Sequence, residues 1–298
     1  MSCDMTRRMM LGGAAALACV RGAAAKAVPG PEKGASGPDP SSQIAALERR
    51  VGGRLGVFAI DTSTGRRLQH FRHERFSMCS TFKFLLVAAV LQRVDRGAER
   101  LDRLVAYAES DLLEYAPIAK EHLEQGGMTI ADLCAAAVEW SDNTAANLLL
   151  KVIGGPQSVT AFVRTLGDDV TYLDNFEPAL NVVAPGEVHD TTTPEAMVGL
   201  LGTVLLGHLL SPDSHAKLQG WMLDLKVGHE RLPAGLPSGW QIAHKTGTSS
   251  TQTNDVGVLW PPNRAPILVA AFYSRGDLPQ TKREGVLRDV GRIVATAF

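Results

Sequence analysis

Apolar and polar positions change their period along the chain, and the change divides it into strand-like ends and a helical middle. Near the N-terminal end, an apolar face at helical spacing predicts a helix over residues 44–51. Two runs rich in apolar and β-branched residues follow, at 54–60 and 67–71, and the polar segment 61–65 between them is typical of a turn. We therefore predict a helix followed by a β-hairpin.

From residue 80 to about residue 219 the apolar positions recur every three or four residues, which predicts helices. The clearest of them lie at 81–94, 129–140 and 144–153. Strand character returns after Pro237, at 240–245, 256–260 and 267–273, and a last helix is predicted within 277–298.

Strands at both ends with helices between them predict an α+β fold of the α/β-sandwich kind. One antiparallel sheet would be built from both termini and flanked by helices, with an all-helical domain inserted into it. We assign 43–75 and 221–298 to the sheet domain and 76–220 to the inserted domain.

Composition adds little that is specific. The chain has 298 residues, of which 45% are hydrophobic, and a net charge of −1. Such a chain can bury a large core, and nothing attracts it to nucleic acid or to acidic lipid. We expect a soluble, monomeric enzyme that acts on a small molecule.

The N-terminus has the features of an export signal. Arg7 and Arg8 precede an apolar run at 11–20 that is too short to span a bilayer, and Ala25-Lys26-Ala27 is an A-x-A cleavage site. We predict a signal peptide over 1–27, similar to a twin-arginine signal, and a flexible leader over 28–42. The alternative is lipoprotein processing at Cys19. Both place the mature protein outside the cytoplasm, in a periplasm.

Four short motifs supply the groups that acyl transfer and hydrolysis need: a nucleophile, candidate bases, a hydroxyl relay and a cationic anchor. They are Ser80-Thr-Phe-Lys83, Ser141-Asp-Asn143, Glu177-Pro-Ala-Leu-Asn181 and Lys245-Thr-Gly247.

The first motif has a helical rationale. Ser80 would open a helix, where free N–H groups and the helix dipole favour a developing anion. Lys83 returns to the same face one turn later, which would bring its amine to the serine oxygen. The chain has a second S-x-x-K, Ser214-His-Ala-Lys217, which we interpret as an ordinary helix cap.

In combination the motifs resemble those of the class A serine β-lactamases, whose S-x-x-K, S-D-N and K-T-G motifs form a catalytic set. The resemblance runs from about Gln43 to the C-terminus. It implies a two-lobed architecture with the active site in a cleft between the lobes, β-lactam substrates, hydrolysis through a serine acyl-enzyme, and no cofactor or metal.

The resemblance also implies roles. Ser80 would be the nucleophile, and Ser141 would relay a proton to the lactam nitrogen. Asn143 would donate to the amide of the substrate side chain. Glu177 and Asn181, on a loop over about 173–190, would hold the water that releases the acyl group. Whether Lys83 or Glu177 takes the serine proton during acylation stays open.

In the Lys245-Thr-Gly247 motif, Lys245 would bind the substrate carboxylate, together with the hydroxyls of Thr246 and Thr248. Gly247 would let the backbone approach the ligand, and the backbone N–H groups of Ser80 and Thr248 would form the oxyanion hole. Two further binding residues are expected from the resemblance, Arg231 at the carboxylate and Tyr115 as an aromatic wall.

Some positions depart from the family. Asp190 lacks the usual arginine partner because Asn175 stands there, so we predict a more mobile loop than in relatives. His244 replaces a commoner acidic residue. Cys79 and Cys134 lack the partners with which some relatives form disulfides, so we expect two buried thiols.

Two other functions compete with hydrolysis. A penicillin-binding D,D-peptidase would acylate but deacylate slowly, and the Glu177/Asn181 pair argues against it. A catalytically silent β-lactam- or peptidoglycan-binding module would be expected to lack the catalytic residues. Metal catalysis is not favoured, because the run His70-x-x-His73-Glu74 lacks the spacing that places two imidazoles on one helix face.

Overall fold

A computed structural model describes residues 39–184 and 186–298. The predicted signal peptide, Cys19 and most of the predicted leader lie outside the described residues. The leader was predicted to end at residue 42, and this is wrong. Helix α1 (Pro40–Val51) already begins at Pro40, because Asp39 caps it by accepting from the Ser42 N–H and proline suits the first helical position.

In chain order the strands are β1 (Arg54–Asp61), β2 (Arg67–His70), β3 (Phe76–Ser77), β4 (Leu104–Val105), β5 (Met128–Thr129), β6 (Thr191–Thr192), β7 (Gln241–Thr248), β8 (Gln252–Trp260) and β9 (Ile267–Ser274). After α1 the helices are α2 (Lys83–Asp95), α3 (Pro117–Glu121), α4 (Ile130–Glu139), α5 (Asn143–Ile153), α6 (Gln157–Thr165), α7 (Pro194–Leu205), α8 (Pro212–Leu223) and α9 (Gln280–Ala297).

The main sheet has five antiparallel strands in the order β2-β1-β9-β8-β7, so both ends of the chain build it, as predicted. Strand β7 is at an edge. The short pair β3 and β6 is a second sheet, in which Ser77 pairs with Thr191. This pairing ties the segment that follows the Glu177 loop to the turn that carries Ser80.

Helices cover both faces of the main sheet. Alternate residues of β9 show this, since Leu268, Ala270 and Phe272 belong to one hydrophobic cluster and Val269 and Ala271 belong to another. The first cluster joins the sheet to α2, α4, α5, α7 and α8, and the second joins it to α1 and α9. The α+β sandwich is therefore confirmed. The division into a sheet domain and an inserted helical domain stays a prediction.

Helix α2 is the centre of the helical layer, because its residues from Lys83 to Leu91 are all buried. Of the second S-x-x-K, Lys217 is exposed. Ser214 does not cap α8, because the helix already begins at Pro212; its cap is Ser211, whose side chain accepts from the Ser214 N–H. The Ser214 hydroxyl donates instead to Asp95 at 2.6 Å.

Cys79 and Cys134 are free thiols, and both are buried. Burial raises the pKa of the Cys79 thiol to about 11 and also raises that of Cys134. Within 39–184 and 186–298, no helix is long and apolar enough to cross a membrane.

Candidate active site

A short 3₁₀ helix, Cys79–Phe82, carries Ser80 and leads directly into α2. The Ser80 hydroxyl faces a cleft and donates a hydrogen bond to Oε1 of Glu177 at 3.1 Å, across 97 residues of sequence. The backbone turns sharply just before it, since Cys79 has a φ of 45°. The predicted nucleophile is thus held at a bend and already points its proton toward a carboxylate.

Lys83 lies behind Ser80 and is fully buried. Its Nζ donates to the carbonyl oxygen of Ser141 at 2.8 Å and to Oδ1 of Asn143 at 2.6 Å, and lies 3.2 Å from Oε1 of Glu177. The helical spacing predicted a direct approach to the serine oxygen. Instead, Lys83 Nζ donates to the Ser141 carbonyl and to Asn143. Lys83 Nζ and the Ser80 hydroxyl both approach Oε1 of Glu177. Burial lowers the pKa of Lys83, and the charge of Glu177 opposes that shift.

Ser141 links two lysines. It lies between α4 and α5 with a φ of 58°, so its carbonyl faces Lys83 while its hydroxyl accepts from Nζ of Lys245 at 3.0 Å. Because Ser141 Oγ is an acceptor in that bond, its own hydrogen stays available for the cleft. Lys245 is fully buried, and burial, together with the positive charges of Lys83 and Arg231, places its pKa well below the ordinary value.

Glu177 is fixed by two amide side chains. Nδ2 of Asn181 donates to its Oε2 at 2.6 Å, so the two carboxylate oxygens have different partners. Oδ1 of Asn181 is buried and accepts no hydrogen bond from the described residues. The backbone of Glu177 is held by Asn147, whose Oδ1 accepts its N–H and whose Nδ2 donates to its C=O, each at 2.9 Å. Asn147 lies on α5, and no sequence pattern connects it with the loop.

Asp190 anchors the loop that carries Glu177. It is buried, and its Oδ1 accepts from the backbone N–H groups of Asp174 and Asn175 at 2.8 and 3.1 Å. Its Oδ2 accepts from Nδ2 of Asn175 at 2.7 Å. The side-chain partner of Asp190 on this loop is therefore the neutral amide of Asn175. The predicted mobility of the loop stays a prediction.

Strand β7 forms the opposite wall, and Gly247 explains how close it comes. A Cβ at Gly247 would lie 2.6 Å from the carbonyl oxygen of Met78 and 3.1 Å from Cβ of Cys79. The predicted approach of the ligand to the Gly247 backbone stays a prediction, and the structure gives a further reason for glycine at this position. The missing side chain lets β7 pack against the turn that carries Ser80. Asn254 on β8 strengthens this contact by donating to the carbonyls of Ser77 and Met78.

Arg231 is buried at the far end of the cleft, just before the 3₁₀ helix Leu232–Gly235. Its Nη1 donates to the carbonyls of Gly247 and Asn254, and its Nη2 donates to Oγ1 of Thr248 at 2.7 Å. Nη2 also contacts Oε1 of Glu284 on α9 at 3.2 Å. The terminal nitrogens thus all face protein acceptors, and the Thr248 hydroxyl keeps its hydrogen for the cleft.

The cleft has a volume of about 370 Å³. The predicted residues that line it are Ser80, Tyr115, Ser141, Asn143, Glu177, Asn181, Arg231, Thr246 and Thr248. Lys83 and Lys245 lie behind its wall, and Tyr115 is half exposed at its edge with its hydroxyl donating to the Trp140 carbonyl. Four further lining residues were not predicted: Val227, Gly228, Gln280 and Glu284.

The described residues contain no group of three or more His, Cys, Asp or Glu side chains that could hold a metal ion. His70 pairs with Glu48 at 2.8 Å, whereas His73 pairs with Glu195 at 3.0 Å. The two imidazoles of the H-x-x-H run therefore contact different carboxylates.

The part of the chain that carries the cleft is similar to known proteins. A family model described as the β-lactamase enzyme family matches residues 39–298. Beta-lactamase L2 of Stenotrophomonas maltophilia is 45% identical over 255 residues, which cover 85% of this chain and 84% of that protein.

Solved structures agree over the same region. The class A β-lactamase of the last common ancestor of Gram-negative bacteria is 53% identical, with a TM-score of 0.84, and the match covers 87% of this chain and 99% of that one. A β-lactamase from Burkholderia vietnamiensis is 48% identical, with a TM-score of 0.85, and the match covers 89% and 98%.

Proposed function

The chain belongs to the class A β-lactamases, and from that premise we propose the role of each side chain in the cleft. It is a serine β-lactamase, which hydrolyses the amide of β-lactams through an acyl-enzyme and so confers resistance to these antibiotics. The comparisons do not favour the penicillin-binding alternative. The observation that carries the proposed roles is the 3.1 Å hydrogen bond from Ser80 Oγ to Glu177 Oε1.

In acylation, Ser80 Oγ attacks the lactam carbonyl and Glu177 takes its proton. The hydroxyl already donates to Oε1, so the proton has a short path to the carboxylate. Lys83, beside the same oxygen, supplies positive charge to the anion that forms. The backbone N–H groups of Ser80 and Thr248 are the proposed oxyanion hole, typically worth about 3 kcal/mol per donor.

As the ring opens, the lactam nitrogen must be protonated. Ser141 is placed for this step, because its hydroxyl hydrogen is free while Lys245 donates to its oxygen. A proton given up by Ser141 would be replaced through the lysine side chain. That lysine is Lys245, whose Nζ donates to Ser141 Oγ; Lys83 bonds to the Ser141 carbonyl instead and takes no part in this relay.

In deacylation, Glu177 and Asn181 hold and activate a water. Glu177 Oε2 is fixed by the Asn181 amide, and Asn181 Oδ1 is a buried acceptor free to receive a hydrogen bond from that water. Glu177 first returns the proton that it took from Ser80 to the solvent of the cleft, and Lys245, which supplied the lactam nitrogen through Ser141, takes one back through the same hydroxyl. The carboxylate is then available as the general base that releases the product.

Substrate binding is proposed at two ends of the cleft. The substrate carboxylate receives hydrogen bonds from the Thr246 and Thr248 hydroxyls and faces the charges of Lys245 and Arg231. Arg231 acts by its charge and by orienting the Thr248 hydroxyl, since its terminal nitrogens already have protein partners. At the other end, Oδ1 of Asn143 accepts from Lys83, which leaves its Nδ2 to donate to the substrate amide, beside Tyr115.

We further propose that the enzyme is a monomer exported to the periplasm. The segments Arg7-Arg8 and Ala25-Lys26-Ala27 support export through a cleaved signal peptide. Mass measurement of the protein from a periplasmic fraction tests the export and the cleavage. The mass of a chain that begins at residue 28 supports the proposed export. Full-length protein in the cytoplasm or a lipidated Cys19 contradicts it.

The two S-x-x-K motifs give a matched test of the nucleophile. Ser80→Ala should abolish nitrocefin turnover, whereas Ser214→Ala, which removes the hydroxyl bonded to Asp95, should leave turnover within about twofold of wild type. Retained turnover in Ser80→Ala would overturn the proposed function.

A further inference from the structure

A buried histidine–aspartate pair lies beneath the active-site strand, and the mechanism above does not use it. Asp255 is fully buried and His244 is 3% exposed. Nδ1 of His244 lies 2.8 Å from Oδ1 of Asp255. In their strands both residues alternate with positions of the first hydrophobic cluster (Ala243 and Val256), so the pair lies on the sheet face that α9 covers.

Each carboxylate oxygen of Asp255 has a donor. A carboxylate only accepts, so the proton between the two side chains belongs to His244 Nδ1. The second oxygen, Oδ2, accepts from the backbone N–H of Leu232 at 3.2 Å. A buried charge needs such partners, and losing one leaves a costly unpaired group.

The Leu232 contact matters because Leu232 directly follows Arg231. The guanidinium of Arg231 donates to the carbonyl of Asn254, and the next N–H donates to the side chain of Asp255. Two consecutive residues of the turn are therefore attached to two consecutive residues of β8. Displacing the second attachment would shift the guanidinium and, with it, the Thr248 hydroxyl that it orients.

Asp255 also offsets positive charge. Lys245 and Arg231 are both buried near it, and the Asp255 carboxylate raises the pKa of Lys245 against the effect of burial. On α9, Glu284 pairs with Arg231, and Arg283 is a further buried cation.

We propose that Asp255, oriented by His244, is a positioning residue that fixes Arg231 at the carboxylate end of the cleft. This inference rests on the proposed function, which assigns Arg231 to that end. A residue that merely stabilised the sheet would affect all substrates alike. The effect of Asp255 must instead pass through Arg231 and depend on the substrate carboxylate.

A double-mutant cycle tests the inference. Asp255→Ala should raise KM about tenfold for a β-lactam with a free carboxylate while changing kcat little. In the Arg231→Ala background, at a pH below the alkaline limb where Lys245 keeps its charge, Asp255→Ala should cause no further loss. With the methyl ester of the same β-lactam, which carries no negative charge, both variants should lose much less kcat/KM than with the acid. Equal losses on acid and ester, or additive losses in the cycle, would overturn the inference.

Asp255→Asn is the conservative rescue. Its amide oxygen can accept from Leu232 while its NH₂ donates to His244 in the other tautomer, so KM should return most of the way to wild type. Nitrogen NMR of the imidazole should report the Nδ1–H form in wild type and the Nε2–H form in Asp255→Asn. An unchanged tautomer with unrecovered KM would count against the inference.

Asp61→Asn is the matched control. Asp61 is a buried carboxylate at the end of β1 that accepts from Ser63 and Thr64, outside the cleft, so its loss should lower stability without raising KM. If Asp255→Ala does not fold, His244→Ala carries the cycle with Arg231→Ala. A non-additive KM rise supports the inference, and an additive rise overturns it. A wild type that hydrolyses neither substrate would instead overturn the proposed function.

Discussion

Asn147 and Glu177 hold each other through a pair of hydrogen bonds: the amide of Asn147 on α5 accepts the N–H of Glu177 and donates to its carbonyl, each at 2.9 Å. The proposed general base is thus attached through its backbone to the helix that follows the Ser141 turn. Its side chain is positioned separately by Asn181. The placing of Glu177 therefore depends on a helix outside its own loop.

Asn147→Ala should lower kcat about 100-fold, because a displacement of the base by about 1 Å is costly in a preorganised site. Stability should fall by about 1–3 kcal/mol, since two backbone groups lose partners. Steady-state kinetics and thermal unfolding measure both. The control is Gln157→Ala, which removes one exposed hydrogen bond to Asp174 in the same loop and should change stability by less than about 0.5 kcal/mol. Equal effects of the two substitutions would contradict the assigned role.

Gly247→Ala should impair the enzyme although the added group is one methyl. Its Cβ would lie 2.6 Å from the Met78 carbonyl, so β7 must move away from the Ser80 turn. We expect a loss of about 1–3 kcal/mol in stability and a fall in kcat/KM of about 100-fold. Gly199→Ala meets nothing within 4 Å and lies in α7, so it should raise stability by about 0.5–1 kcal/mol. A Gly247→Ala enzyme with wild-type kinetics would show that the close approach is not needed.

The alkaline limb of kcat/KM should appear well below pH 10.5. The pKa of Lys245 is lowered by burial and by the neighbouring cations, so its ammonium is lost as the pH rises through that lowered value, and carboxylate binding weakens. Lys245→Arg keeps its charge over this range and should move the limb to higher pH. A profile from pH 5 to pH 10 for both enzymes checks this, and coincident limbs would rule Lys245 out as the cause.

The loop anchor at Asp190 predicts a local change in dynamics. Asn175→Ala removes the donor to Asp190 Oδ2 and should cost about 1 kcal/mol while speeding amide exchange across residues 174–190. His189→Ala, which removes an exposed contact with Asp174, is the control and should change exchange little. Wild type should already exchange faster here than relatives with an arginine–aspartate pair. Equal protection would show that the neutral amide holds the loop as firmly.

The sequence predicted the chemistry better than the limits of the strands. Short motifs identify groups such as Ser80 and Glu177 because the reaction demands those residue types at those spacings. Strand β8 was expected to begin at Val256 but begins at Gln252, because the polar stretch Thr253-Asn254-Asp255 resembles a loop. All three side chains are buried, Asn254 against the Ser80 turn and Asp255 against the Arg231 turn, so tertiary contacts override the pattern.

The missed residues share one property. Asn147, Gln280 and Glu284 reach the site only through contacts between segments distant in sequence. No local period or motif marks them. The helix start at Pro40 is a different case, because Asp39-Pro40 is a recognisable cap that the composition of the preceding leader concealed.

The central claim is that Glu177 frees an acyl group from Ser80. It is tested most directly by the intact mass of Glu177→Ala mixed with benzylpenicillin. Acylation should slow but persist, because removing Glu177 takes away the charge that raises the pKa of Lys83 and so favours its neutral amine as the base. Deacylation should slow far more, since Glu177 and Asn181 hold the water. We predict one equivalent of adduct with the full mass of the antibiotic on Ser80 and none persisting on wild type, which turns over; rapid turnover without adduct in Glu177→Ala would contradict the account.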